Sequence, residues 1–162
     1  MRIVLQRVRK ARVHVDDRIV GEIGPGLLVL VAVTQSDTAA DAERLADKTI
    51  GLRIFASGDR PFDLAIGDVG GSVLCVSQFT LYADIRRGNR PSWSAAADPD
   101  HARAVIDAYL ERLHQHRIPV STGVFGAHMD VELENDGPVT LILDTAELAR
   151  PRRAPRSAPA GA

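Results

Sequence analysis

Residues 27–33, Leu-Leu-Val-Leu-Val-Ala-Val, form an uninterrupted apolar run of strand length. A strand with one face in water alternates apolar and polar residues, whereas an unbroken run is expected where both faces are covered. This run therefore demands a layered fold, with a sheet and packed side chains on either side of it. "SVLCVSQFTLY", residues 72–82, reads as a second long strand. Upstream, residues 2–9 and 11–15 read as strands, the second joined to "RIVGEI" by a turn at Asp16-Asp17.

Elsewhere the apolar period changes. From Thr38 to about Ile54, residues Ala42, Leu45, Ala46, Thr49 and Ile50 recur at helical spacing behind the capping candidates Ser36, Asp37 and Thr38. A second helix is predicted from Ala102, Val105, Ile106, Tyr109, Leu110 and Leu113, with Asp98 as N-cap and Pro99 in the first turn. Residues 58–71 are turn-rich, and "VSTGVF", "HMDVELE" and "VTLILD" close the body as strands. Strands, helix, strand, helix, strands is the order of an α+β domain whose sheet curls or closes under two helices. A chain of 162 residues suits one such domain. From Glu147 onward Pro, Arg and Ala dominate without apolar periodicity, so the expected division is a body over 1–146 and a disordered tail over 147–162.

One stretch contradicts itself. In "NDGPVT", residues 135–140, Asp-Gly between two alternating runs predicts a tight hairpin turn. Pro138 then follows, with no N–H to give to a ladder.

Net charge is −1, which excludes a broad polyanion-binding footprint. Two stretches are locally basic: Arg2, Arg7, Arg9, Lys10 and Arg12, and the "RRGNR" loop with Arg86, Arg87 and Arg90. Nucleic-acid contact should accordingly be local. No apolar run reaches membrane-span length and the N-terminus lacks a signal-peptide pattern, so no membrane partner and a cytoplasmic location are expected. The single cysteine, Cys75, reads as a small buried hydrophobe. No P-loop, dinucleotide fingerprint, nucleophile elbow or zinc-protease motif is present. His14, His101, His114, His116 and His128 lack ligand spacing, so neither metal nor cofactor is expected.

Polarity in unexpected places marks the candidate site. Ser77-Gln78-Phe79-Thr80 interrupts an apolar strand: it is either a strand end emerging into solvent or the polar rim of a pocket. "RRGNRPSW" is either a solvated turn anchored by Trp93 or a phosphate-contacting loop. Gly123 and Gly126, flanking Phe125, allow close backbone approach or a bulge.

Taken together, "MRIVLQRVRKARVHVD", "GGSVLCVSQFTLYAD", "RRGNRPSW" and "TGVFGAHMDVELENDGPVTLILD" resemble the D-aminoacyl-tRNA deacylase family in order and spacing. The resemblance runs from Met1 to about Thr145 and includes both signatures, SQxTL (Ser77, Gln78, Thr80, Leu81) and NxGPV/T (Asn135, Gly137, Pro138, Val139). It implies a compact β-barrel-like α+β homodimer with the active site at the subunit interface. The implied reaction is hydrolysis of the ester joining a D-amino acid, or mischarged glycine, to the terminal adenosine of tRNA: chiral proofreading that recycles mischarged tRNA.

The resemblance also implies roles. Ser77, Gln78 and Phe79 would line the pocket for the aminoacyl group and adenosine, with Phe125 and Met129 near the adenosine and Arg7 supporting the Gly-Pro loop. The Gly137-Pro138 peptide would be cis and reach into the partner's pocket, leaving no room for an L side chain. Gly24-Pro25 reads as an ordinary turn. Thr80 is read as orienting or structural, with backbone donors stabilising the oxyanion and the 2′-hydroxyl of the tRNA assisting. Two other readings stay open: a non-catalytic nucleic-acid-binding module, and a hydrolase of another ester using Thr80 as nucleophile. Trp93 stands where the family more often has phenylalanine, and the tail extends beyond the usual family end.

Overall fold

The computed structural model describes residues 1–86 and 88–150. In chain order its elements are β1 (Arg2–Val15), β2 (Arg18–Ile23), β3 (Gly26–Ala32), α1 (Ala39–Gly51), β4 (Phe55–Ser57), β5 (Arg60–Leu64), β6 (Ser72–Ser77), α2 (Pro99–Gln115), β7 (Val120–Thr122), β8 (Asp130–Asp144) and α3 (Thr145–Leu148). A single 3₁₀ turn, Phe79–Tyr82, follows β6.

β1 organises the sheet. Its first half lies between β3 and β8, and its second half between β2 and β8, all antiparallel. β6 and β7 continue in parallel beyond β3. The sheet curls until its far edges meet: Ser121 Oγ on β7 donates to the Glu22 carbonyl on β2 at 3.0 Å. A Cβ at Gly21 would collide with the Thr122 carbonyl, so glycine is what permits that approach. The result is a nearly closed barrel-like α+β fold, as the chain pattern requires.

The unbroken run is buried on both faces. Leu27, Val29 and Val31 of β3, with Val73 and Cys75 of β6, face the helices, where Leu45, Tyr109 and Leu113 meet them. Leu28, Leu74 and Val76 face inward and close on Val8, Ala11, Val13 and Ile23. Burial pushes the Cys75 thiol up to about 12, which makes it an inert core side chain.

Both expected helices form. α1 starts at a capping box, in which Thr38 N–H donates to Asp41 Oδ2 at 3.0 Å and Asp41 N–H donates back to the Thr38 hydroxyl at 3.3 Å. α2 starts with the Asp98 carboxylate accepting from His101 N–H at 3.0 Å and with Pro99 at its first position. The two helices pack through Tyr109, whose buried hydroxyl donates to Thr49 Oγ1 at 3.0 Å. A third short helix, α3, continues from β8 into the first residues of the expected tail, while 151–162 and Arg87 lie outside the described residues.

Four local expectations are corrected. Residues 2–9 and 11–15 are one strand, because β1 passes from β3 to β2 without breaking. The turn-rich 58–71 contains most of a small hairpin, β4–β5. β6 ends at Ser77, not residue 82, since Gln78 leaves extended geometry at φ −143°, ψ 70° and the chain coils into the 3₁₀ turn.

The fourth correction concerns residues 135–140. No hairpin forms there: β8 is continuous from Asp130 to Asp144, and both of its arms pair with β1. Val8 pairs with Asn135 and Gln6 with Thr140, so residues 136–139 bulge opposite Arg7 alone. Pro138 needs no ladder partner because the bulge takes it off the ladder. By contrast, Asp16 and Asp17, both at positive φ (48° and 61°), make the expected tight turn, and Gly24-Pro25 links β2 to β3.

Candidate active site

The corner where β6 becomes the 3₁₀ turn faces the start of α2 across a cleft of about 400 Å³. Gln78 N–H donates to the Val31 carbonyl at 2.6 Å, which ties the corner to the end of β3. Ser77, Gln78 and Phe79 line the cleft, and Phe125 and Met129 close it from the segment after β7. Five of the nine site residues expected from the sequence therefore converge: Ser77, Gln78, Phe79, Phe125 and Met129.

Phe79 is held edge-to-face against Trp93, with ring centroids 5.4 Å apart and planes at 80°. The residue nevertheless stays 55% exposed, an apolar surface without cover in the single chain. Met129 sits where it does because Gly123 has no side chain: a Cβ there would lie 2.6 Å from the Met129 sulfur.

Thr80 lies just beyond the cleft lining. Its hydroxyl accepts from the Gln78 side-chain amide, so the two polar groups of the corner satisfy one another. Among the described residues no imidazole or carboxylate bonds the Thr80 hydroxyl, and without a base a hydroxyl is a poor nucleophile.

The remaining three residues gather elsewhere, at the β8 bulge. The Gly137-Pro138 bond is cis and both residues are exposed, outside the cleft of their own chain. Asn135 laces the bulge: its Oδ1 accepts from Val139 N–H at 3.0 Å and its amide donates to Thr140 Oγ1 at 3.2 Å. Arg7 supports it from beneath. Its side chain is 11% exposed, its Nη1 donates to the Ile54 carbonyl, and its Nε lies 2.9 Å from Asp136 Oδ2. That Nε contact lacks hydrogen-bond alignment, so it acts as charge attraction. Gly137 has φ +120°, and a Cβ there would lie 2.8 Å from Val139 Cγ2 and 3.1 Å from Arg7 Nη2.

Sequence reading did not assign the opposite wall, made by Ala96, Ala97, Pro99 and Ala102 at the start of α2. The run "SAAADP" carried the signal: small residues before a helix leave room. Trp93, which the sequence places in the arginine loop as an anchor or part of a phosphate contact, stands in the cleft wall.

Among the described residues no side chain lining the cleft carries an ionisable group. Aromatic faces with a few neutral donors and acceptors make a class of site suited to a flat, polar-edged moiety.

The family model described as D-Tyr-tRNA(Tyr) deacylase matches residues 4–144. The D-aminoacyl-tRNA deacylase of Chloroflexus aurantiacus is 56% identical over 154 residues, covering 95% of this chain and 96% of its own. That of Thermotoga petrophila is 51% identical, covering 91% and 99%. Among solved structures, the c-Myc DNA unwinding element binding protein superimposes with a TM-score of 0.83 at 35% identity, over 89% of this chain and 98% of its own. A probable eukaryotic D-amino acid tRNA deacylase shares the fold, with a TM-score of 0.75 at 17% identity over 88% and 97%. The chain belongs to the D-aminoacyl-tRNA deacylase family.

Proposed function

We propose that the cleft at the Ser77–Phe79 corner receives the terminal adenosine and aminoacyl group of a D-aminoacyl-tRNA and that water hydrolyses the ester there. As a family member the chain is a hydrolase. The observation that carries the site is the convergence of Ser77, Gln78, Phe79, Phe125 and Met129 on one cleft whose lining, among the described residues, has no ionisable side chain. In this reading the aromatic and thioether walls hold the adenine by stacking and dispersion. Backbone N–H groups of the corner stabilise the oxyanion, and the 2′-hydroxyl of the terminal ribose assists attack. Gln78 orients Thr80 or is oriented by it, and Thr80 is not a nucleophile.

Residues 1–146 form the deacylase domain in this reading, and the enzyme works in the cytoplasm as a homodimer. Among the described residues no helix is long and apolar enough to cross a membrane. The exposed Gly137-Pro138 bulge of one subunit enters the cleft of the other and excludes L side chains, while D-aminoacyl and glycyl esters fit. Support comes from the bulge's exposure and from its bracing by Asn135 and Arg7, since a wall that rejects by steric contact must not yield. Recycling of tRNA and quality control in translation follow from that selectivity.

The test is hydrolysis of D-tyrosyl-tRNA and L-tyrosyl-tRNA side by side by the purified protein. Cleavage of the D-ester alone is expected. Equal cleavage of both would keep the hydrolase and remove the chiral pocket. Cleavage of neither by folded protein would favour a non-catalytic nucleic-acid-binding module. The likeness to the c-Myc DNA unwinding element binding protein favours that second reading.

A further inference from the structure

Phe125 borders two cavities. Its ring lines the main cleft and also a side cavity of about 160 Å³, and Ser77 and Ile106 are likewise common to both. A ring shared in this way is the partition between them. Arg103, on the second turn of α2, lines only the side cavity, and its guanidinium carbon stands 4.4 Å from the centroid of the Phe125 ring. Among the described residues Arg103 has no ion pair. Asp107, one turn further along α2, borders the same cavity without pairing to it. The aromatic face is thus its close partner, and a guanidinium over a ring at this distance is attracted by the negative face of the π system.

We propose that Arg103 is a positioning residue for the cleft: it holds Phe125 upright as the wall between the two cavities. The inference rests on the deacylase reading of that cleft. Without the guanidinium, only apolar packing against the core retains the ring. Phe125 then turns toward the empty volume and the cleft merges with it. A widened cleft grips the adenosine less well but leaves the reacting ester at the corner unchanged, so the loss falls on KM and not on kcat.

The experiment compares wild type, Arg103→Ala and Arg103→Lys on D-tyrosyl-tRNA and on a D-tyrosyl ester of adenosine, which carries no phosphate. A rise in KM of about two- to fivefold in Arg103→Ala is expected on both substrates, the range that an exposed cation–π contact supports. Turnover and Tm should stay as in wild type, and Arg103→Lys should recover most of the loss. A rise confined to the tRNA substrate and abolished by salt would make Arg103 a phosphate contact and overturn the proposal. Unchanged KM on both would overturn it as well. Incorporation of 4-fluorophenylalanine at the four phenylalanines gives a readout independent of catalysis. The Phe125 fluorine resonance should shift in Arg103→Ala and return in Arg103→Lys. If wild type cleaves neither ester the deacylase reading falls, while the fluorine spectrum still decides whether Arg103 holds the ring.

Discussion

At the scale of single residues, two glycines do the shaping. Gly123 gives Met129 its place in the cleft wall, so Gly123→Ala should push the thioether aside, raise KM several-fold and leave the melting temperature nearly unchanged. Steady-state kinetics beside a thermal melt would check this, and a large loss of stability with unaltered KM would contradict it. Gly137 is more constrained, because its positive φ and its neighbours Val139 and Arg7 both exclude a side chain. Gly137→Ala should cost about 1–3 kcal/mol of stability in urea titration and, in the proposed dimer, blur the D/L discrimination. Unaltered discrimination in a variant whose bulge has moved would remove the steric account. The sequence announced Gly137 by its motif but said nothing of Gly123's partner. Met129 is six residues further on and meets Gly123 only because the chain folds back there.

Among elements, the most exacting contact joins the residue before β1, the turn before α1 and the first residue of α3. The Met1 ammonium is fully buried against Asp37, whose side chain is 7% exposed, and it also donates to Thr145 Oγ1 at 2.7 Å. Burial alone would push the Asp37 carboxyl up. Hydrogen bonds from the Met1 ammonium and from the Thr34 N–H and hydroxyl, with the ammonium's charge, outweigh it and hold the carboxyl below its ordinary value. A folded-state carboxyl held low contributes stability above the unfolded value, near pH 4, and loses it as pH falls through the folded value. Asp37→Ala should cost about 3–5 kcal/mol at neutral pH, because it strands a buried cation. In urea midpoints measured from pH 7 downward, the gap between variant and wild type should begin to narrow below about pH 4, where the unfolded carboxyl takes up a proton. Parallel curves would argue against the pair. How well elements could be read varied with how local their causes were. The unbroken run of β3 and both helix caps were legible because burial on two faces and capping chemistry leave local marks. β8 was misread because Asp-Gly between alternating arms fits a hairpin and a bulge equally well. The choice was made by β1, some 120 residues away in the chain, which offers both arms a partner better than each other.

For the molecule as a whole, the sheet's closure brings the Ser77 corner, the segment after β7 and the start of α2 to one cleft, and among the described residues no side chain lining that cleft titrates. The dependence of kcat/KM on pH should therefore lack the bell shape that a side-chain acid and base would impose between about pH 5.5 and 8.5. A unit-slope inflection near neutrality that disappears in a single variant would reveal an acid or base acting from outside the cleft. The motifs made the Ser77 corner and Phe125 readable in the sequence. The alanine wall and Trp93's place were not, since small residues advertise space only once something faces them. A cleft built this way is also invisible to the traditional tools for finding active sites. Among the described residues, thiol- and amine-directed alkylating agents, carbodiimides and imidazole-directed acylating reagents have no group to label in its lining, so protection by substrate against such reagents should be nil. Light-activated crosslinking from a modified adenine, captured by Phe79, Phe125 or the Met129 thioether, is the route by which this surface can be mapped.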